Sequence, residues 1–142
     1  MQMNIETDYA VRCILFLAQN DAYTPSGKIA EAMRIEKEQT LRILKKLQAA
    51  GLVRSQRGQV GGFSLAKSTD QIMMRDIIEV MEDTIKINRC LENDGFCNRN
   101  GTPSCQVHQY YNGVQSILEQ IFDNTSITDI LSGNATAFSS LS

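Results

Sequence analysis

The chain has 142 residues, 42% of them hydrophobic and 21% charged, with no tryptophan and two prolines. That length allows one domain with a real core, and no apolar run approaches the roughly 20 residues that a membrane-spanning helix requires. The net charge of −2 argues by itself against a nucleic-acid binder, but residues 1–67 carry ten Lys/Arg against six Asp/Glu, and residues 68–142 four against ten. A positive first half and a negative second half point to a nucleic-acid face joined to something else. Acidic Glu6 and Asp8 precede Val11, unlike the basic-then-apolar start of a signal peptide, so a cytoplasmic location is expected. In that compartment thiols stay reduced, and grouped cysteines serve metal or redox chemistry rather than stapling.

The stretch TDYAVRCILFLAQN predicts a first helix, with Thr7 as its cap and Asp8 in the first turn, where the helix dipole favours an acid. Tyr9, Cys13, Phe16 and Leu17 follow helical spacing, and Cys13 among them is expected to pack in the core. Thr24-Pro25-Ser26 then breaks the chain, and SGKIAEAM predicts a short second helix capped by Ser26. After a tight turn at Arg34-Ile35-Glu36, KEQTLRILKKLQAAG repeats leucine at 41, 44 and 47 with Ile43 beside them, and Gly51 supplies the stop. Its opposite face carries Glu38, Gln39, Arg42, Lys45 and Lys46. Two short helices joined by a tight turn, the second polar and basic outside, match a helix-turn-helix.

LVRSQ and GFSLAK flank the glycine-rich turn RGQVGG and predict a hairpin, or wing, directly after the recognition helix. MMRDIIEVMED predicts another amphipathic helix. From Gln106 to Asp123 a longer helix carries Val107, Tyr110, Tyr111, Val114, Ile117, Leu118, Ile121 and Phe122 on one face. A winged-helix domain needs no such stripe for its own core, so pairing with a second copy in a two-fold dimer is expected. SITDIL reads as a last short helix, and the small, polar end as a disordered tail.

The expected fold class is mainly α with a small β-hairpin: a winged helix-turn-helix DNA-binding domain plus a long dimerisation helix. Along the chain this divides into a DNA-binding region (1–83), a cysteine-rich loop (84–105), a dimerisation helix with a short C-terminal helix (106–131) and a tail (132–142).

Candidate DNA contacts follow from position. Gln39, Thr40 and Arg42 lie near the start of the recognition helix, where Gln39 can pair with adenine and Arg42 with guanine. Lys45 and Lys46 suit phosphates, and Arg57 at the wing tip, next to Gln59, suits a narrow minor groove. Ser26 and Lys28 on the second helix complete the set. For each, the bland alternative is a solvated side chain.

The stretch RCLENDGFCNRNGTPSCQVH, residues 89–108, holds three of the four cysteines and the only histidine. Cys90, Cys97 and Cys105 can bind zinc with His108 as a Cys3His set, or act as metal-free thiol sensors. A Cys–His nucleophile pair lacks an orienting third group, so an enzyme is not expected.

The first-helix string TDYAVRCILFLA, the wing RGQVGGFSLAK, the three grouped cysteines and a long helix ending NTSITDIL resemble the Rrf family of bacterial winged-helix transcriptional regulators, in its cluster-bearing, IscR/NsrR/RirA-like branch. The likeness covers about residues 3–131. It implies a homodimer that binds double-stranded DNA at a palindromic operator, most often as a repressor. It also implies an iron–sulfur cluster, [4Fe-4S] or [2Fe-2S], held by Cys90, Cys97 and Cys105 and sensing nitric oxide, redox state or iron status. In some members the fourth ligand is a histidine three residues after the last cysteine, the place of His108. In others it is an aspartate in the first helix of the other subunit, the place of Asp8. Both are present here, and the alternative for Asp8 is an i+4 pair with Arg12. The family spacing puts five residues between successive cysteines, whereas six (LENDGF) and seven (NRNGTPS) intervene here. A loop absorbs such insertions at small entropic cost.

Overall fold

Asn4, rather than Thr7, caps the first helix, α1 (Ile5–Ala18), its side chain accepting from the Glu6 amide. Thr7 lies inside α1, and its hydroxyl is spent on the Glu82 carboxylate, which also accepts from the Asn4 amide. A threonine whose oxygen faces the protein interior caps nothing, and the helix therefore begins earlier than TDY predicts. The computed structural model describes residues 1–135.

A similar correction applies to α2 (Ser26–Met33). Pro25 occupies the cap position, no side chain caps the helix, and Ser26 is its first residue. Proline's fixed φ suits the approach to a helix without a capping side chain. The α2 helix ends at Arg34, whose left-handed φ of 56° lets the Ile35 amide reach the Ala30 carbonyl at 3.0 Å. This sharp reversal delivers the chain into α3 (Lys37–Ala49), whose Ile43, Leu44 and Leu47 are fully buried. Gly51, at φ 77°, closes α3, as a residue without a Cβ can do at no steric cost.

The wing forms as expected. Strands β1 (Val53–Gln56) and β2 (Gly62–Leu65) pair antiparallel, Val53 against Leu65 and Gln56 against Gly62. A bridge from Thr24 to Phe63, with both amide–carbonyl bonds at 2.8–2.9 Å, fastens the start of α2 to the hairpin.

Helix α4 (Met74–Met81) buries Ile77 and Met81 in the core with α1 and α3, and Ile78 is buried beside them. After the loop, with short 3₁₀ turns at Arg89–Leu91 and Thr102–Ser104, come α5 (Gln106–Asn124) and α6 (Ile127–Leu131). Ser126 and Asp129 cap α6 reciprocally, each side chain accepting from the other's amide.

Among the described residues an extended hydrophobic cluster joins residues of α1 to α4 and the wing with Ile72 and Ile127. Ile127 is fully buried, and its amide bonds the Ile72 carbonyl at 2.9 Å. The segment after α5 therefore packs into the same hydrophobic cluster as α1 to α4. Burial of an isoleucine of this kind contributes about 1.5–3 kcal/mol toward holding the five-residue helix in place. Among the described residues no helix is long and apolar enough to cross a membrane. The expected disordered tail lies, from residue 136 onward, outside the described residues.

Candidate functional site

The helix-turn-helix presents α3 as its outer edge. Inward positions at 40, 43, 44 and 47 leave Glu38, Arg42, Lys45 and Lys46 exposed and Gln39 half-buried. Thr40 does not belong with them. It is fully buried, and its hydroxyl donates to the Glu36 carbonyl at 2.9 Å, so it stabilises the first turn of α3 instead of facing a groove. Arg57, Gln59 and Val60 form the exposed tip of the wing, and Lys28 is exposed on α2 with Ser26 half-buried at that helix's start.

Recognition-helix side chains meet a partner that sequence spacing gave no reason to consider. Glu6, on the first turn of α1, is hydrogen-bonded by Arg42 Nη2, and its Oε2 lies 3.5 Å from Lys46 Nζ. Gln39 Nε2 reaches Glu6 Oε1 at 3.5 Å. Residues 39, 42 and 46 form one stripe of α3, which the packing of α1 across α3 brings to the start of α1. The Arg42 hydrogen bond holds the Glu6 carboxyl below its ordinary pKa against an opposing effect of burial.

The cysteine-rich loop folds over the start of α5. Cys90, Cys97, Cys105 and His108 line one pocket of about 260 Å³ with Phe96, Val107 and Tyr111. His108 Nδ1 lies 3.3 Å from Cys90 Sγ, and the Asn88 side-chain Nδ2 donates to the same sulfur at 3.4 Å. Cys105 caps α5, its sulfur accepting from the His108 amide at 3.4 Å. Backbone N–H groups of Gly101 and then Arg99 favour negative charge on Cys97 and hold its thiol below the ordinary value, with burial opposing. Cys13 contrasts: buried in α1 and without such donors, its thiol is pushed up to about 12, in keeping with a packing role.

Among the described residues no three His, Cys, Asp or Glu side chains are gathered closely enough to hold one metal ion. The donors surround a space rather than a point. Asp8 is not in the pocket of its own protomer. It pairs with Arg12 at 2.5 Å on the surface of α1.

A polar clamp fixes the root of the loop. Gln115 is the one buried residue of α5. It accepts from the Ile87 amide at 2.9 Å, donates to the Ile85 carbonyl at 3.0 Å, and donates to Glu119 at 2.8 Å. Glu119 in turn receives Lys86 at 2.6 Å and Arg75 of α4 at 3.7 Å. No motif marks Gln115 in the sequence, where it is a polar residue beside Val114; only the path of the loop assigns it a task.

A family model described as Rrf2, an iron-dependent transcriptional regulator, matches residues 3–133. An HTH-type transcriptional regulator of Aquifex aeolicus is 32% identical over 124 residues, covering 87% of this chain and 86% of its own. The chain belongs to the Rrf2 family. Solved structures with this fold include IscR of T. potens, at a TM-score of 0.74 and 24% identity over 94% of this chain and 88% of that one. CymR, the global cysteine regulator of B. subtilis, matches at a TM-score of 0.71 and 24% identity, over 93% of this chain and 97% of that one. As an Rrf2 member the protein is a DNA-binding transcriptional regulator and not an enzyme.

Proposed function

We propose that the protein is a homodimeric cytoplasmic regulator, acting as a repressor at a palindromic operator, whose DNA affinity is set by an iron–sulfur cluster held by Cys90, Cys97 and Cys105. The observation that carries this reading is the shared pocket: three thiols and an imidazole around about 260 Å³. A cluster of several iron and sulfide ions is wider than one zinc ion and takes thiolate ligands, which fits this donor set. When bound, the group supplies a site that nitric oxide, oxygen or iron shortage can alter. His108 is in the pocket already and Asp8 is not, so within one protomer His108 is the available fourth donor; Asp8 of the partner subunit is the alternative.

The chain's own residues then link loop to duplex. The clamp of Gln115, Glu119, Lys86 and Arg75 ties the loop root to α5 and α4, and α4 packs in the core beneath α3. Ordering or loosening the loop thereby bears on the unit that presents the recognition helix. Protein purified without oxygen should be brown and contain iron and sulfide. A colourless, zinc-containing preparation would overturn the cluster.

A second copy is the natural cover for α5. Val107, Tyr110, Val114 and Ile117 form a stripe at helical spacing that remains exposed, and a groove of about 670 Å³ lined by Met1, Met3, Ile78, Ile85, Leu118 and Phe122 continues it. Ile117→Glu places a charge in that stripe and is expected to give a monomer in light scattering after size exclusion. A dimer that persists at low micromolar concentration would remove α5 from the interface.

On the DNA side, Arg57→Ala at the wing tip is expected to weaken operator binding by about 1–3 kcal/mol, the scale of a good base contact. A gel-shift titration with unchanged affinity would refute that contact.

A metal-free thiol switch is the second reading, favoured by the depressed thiol of Cys97. It predicts colourless protein whose DNA affinity changes on oxidation.

A further inference from the structure

Glu6 stands between the body of the protein and its DNA-reading edge. Its side chain is only 18% exposed, while those of Arg42 and Lys46 are 57% and 44% exposed. A mostly shielded carboxylate therefore holds the inner ends of two outward-facing cations, with Gln39 at the limit of reach on the same oxygen as Arg42. Arg42 makes this bond through one terminal nitrogen of a guanidinium with five N–H donors, so donors remain for a base. Two positive charges share one negative charge, and the stripe as a whole offers the duplex about one charge fewer than its sequence implies.

We propose that Glu6 is a specificity-determining positioning residue: it buttresses Arg42 for base readout and withholds positive charge from non-specific phosphate contact. The physical logic is preorganisation. An arginine fixed before binding loses less side-chain entropy when it meets a base. A carboxylate beside the phosphates lowers the sequence-independent affinity that every duplex receives. The first effect raises the ratio of specific to non-specific binding; the second lowers both affinities alike and shows in the salt dependence. Lys45 carries no ion pair among the described residues and is the unmodified phosphate contact of the same helix. This inference rests on the reading of α3 as the recognition helix.

The test uses full-length protein purified without oxygen, a duplex selected from a random pool by the wild-type protein, and a scrambled duplex of equal length. Glu6→Gln, which keeps size and hydrogen bonding but removes the charge, is expected to bind the scrambled duplex several-fold tighter. Its plot of log affinity against log salt should steepen by about one unit, the signature of roughly one more neutralised phosphate. The ratio of selected to scrambled affinity is expected to fall by about fivefold, toward the lower range of a single base contact. In an Arg42→Ala background the same change should leave that ratio within twofold. An unchanged ratio and salt slope in correctly folded Glu6→Gln, checked by circular dichroism and thermal unfolding, overturns the proposal. Lys45→Ala separates the two levels: if it fails to weaken binding to either duplex, the recognition-helix reading falls and this inference with it.

Discussion

Cys97→Ala is expected to abolish the visible absorbance and the bound iron of protein purified without oxygen, and to leave its helical content and core stability close to those of the parent. The two halves of that expectation have separate causes. Cys97 is half-buried on a loop, outside the hydrophobic cluster, so its loss opens no cavity among Ile14, Leu44, Leu47 and Ile77. The amide groups of Gly101 and Arg99 also favour its thiolate, and metal ligation requires the thiolate. Removing it takes one of three thiol donors from the pocket and leaves Cys90, Cys105 and His108. Affinity for the selected duplex is expected to move toward that of the apo protein. The comparison with Cys13→Ala sharpens the test: Cys13 lies buried in α1 with its thiol pushed up to about 12, so that variant should keep its colour and lose stability. A Cys97→Ala protein that retains iron and sulfide at wild-type levels would falsify the ligand assignment.

Gly62→Ala is expected to cost about 2–6 kcal/mol of folding stability, the sum of a strained backbone and an overpacked contact. Gly62 has φ +140°, where side chains are rarely tolerated, and a Cβ there would stand 2.2 Å from the Thr24 carbonyl carbon and 2.3 Å from its oxygen. The obstructing atoms are backbone, so no rotamer change relieves them. The contact exists because Thr24 bridges to Phe63, joining the start of α2 to β2. Relief therefore requires that bridge to part, which frees the wing from the helix-turn-helix. DNA affinity should fall together with stability, since Arg57 rides on the hairpin. Urea unfolding followed by fluorescence and circular dichroism measures the first effect, and a gel-shift titration the second. Equal stability in both proteins would mean that the wing docks differently from the bridge described here.

Much of this was legible without coordinates, and the reason is local. Leucines at 41, 44 and 47 with Ile43 force an amphipathic helix, Gly51 ends it, and the alternation around RGQVGG forms a hairpin; each signal spans fewer than twenty residues. The grouping of three cysteines with His108 around one pocket also follows from proximity along the chain, since all four lie within residues 89–108. The local cues misplaced the starts of helices, where Thr7 and Ser26 look like caps but Asn4 and Pro25 hold those positions. A hydroxyl can cap a helix or bond elsewhere, and only its surroundings choose.

What the amino-acid order determined unaided was the succession of elements and the chemistry gathered in the loop, because periodicity and short-range spacing act before the chain meets itself. Tertiary structure alone decided that Thr40 turns inward, that Ile127 returns to the core after nineteen residues of α5, and that Glu6 meets Arg42 thirty-six positions away. Those outcomes depend on how helices cross, and a crossing brings together residues whose separation along the chain carries no pattern to read.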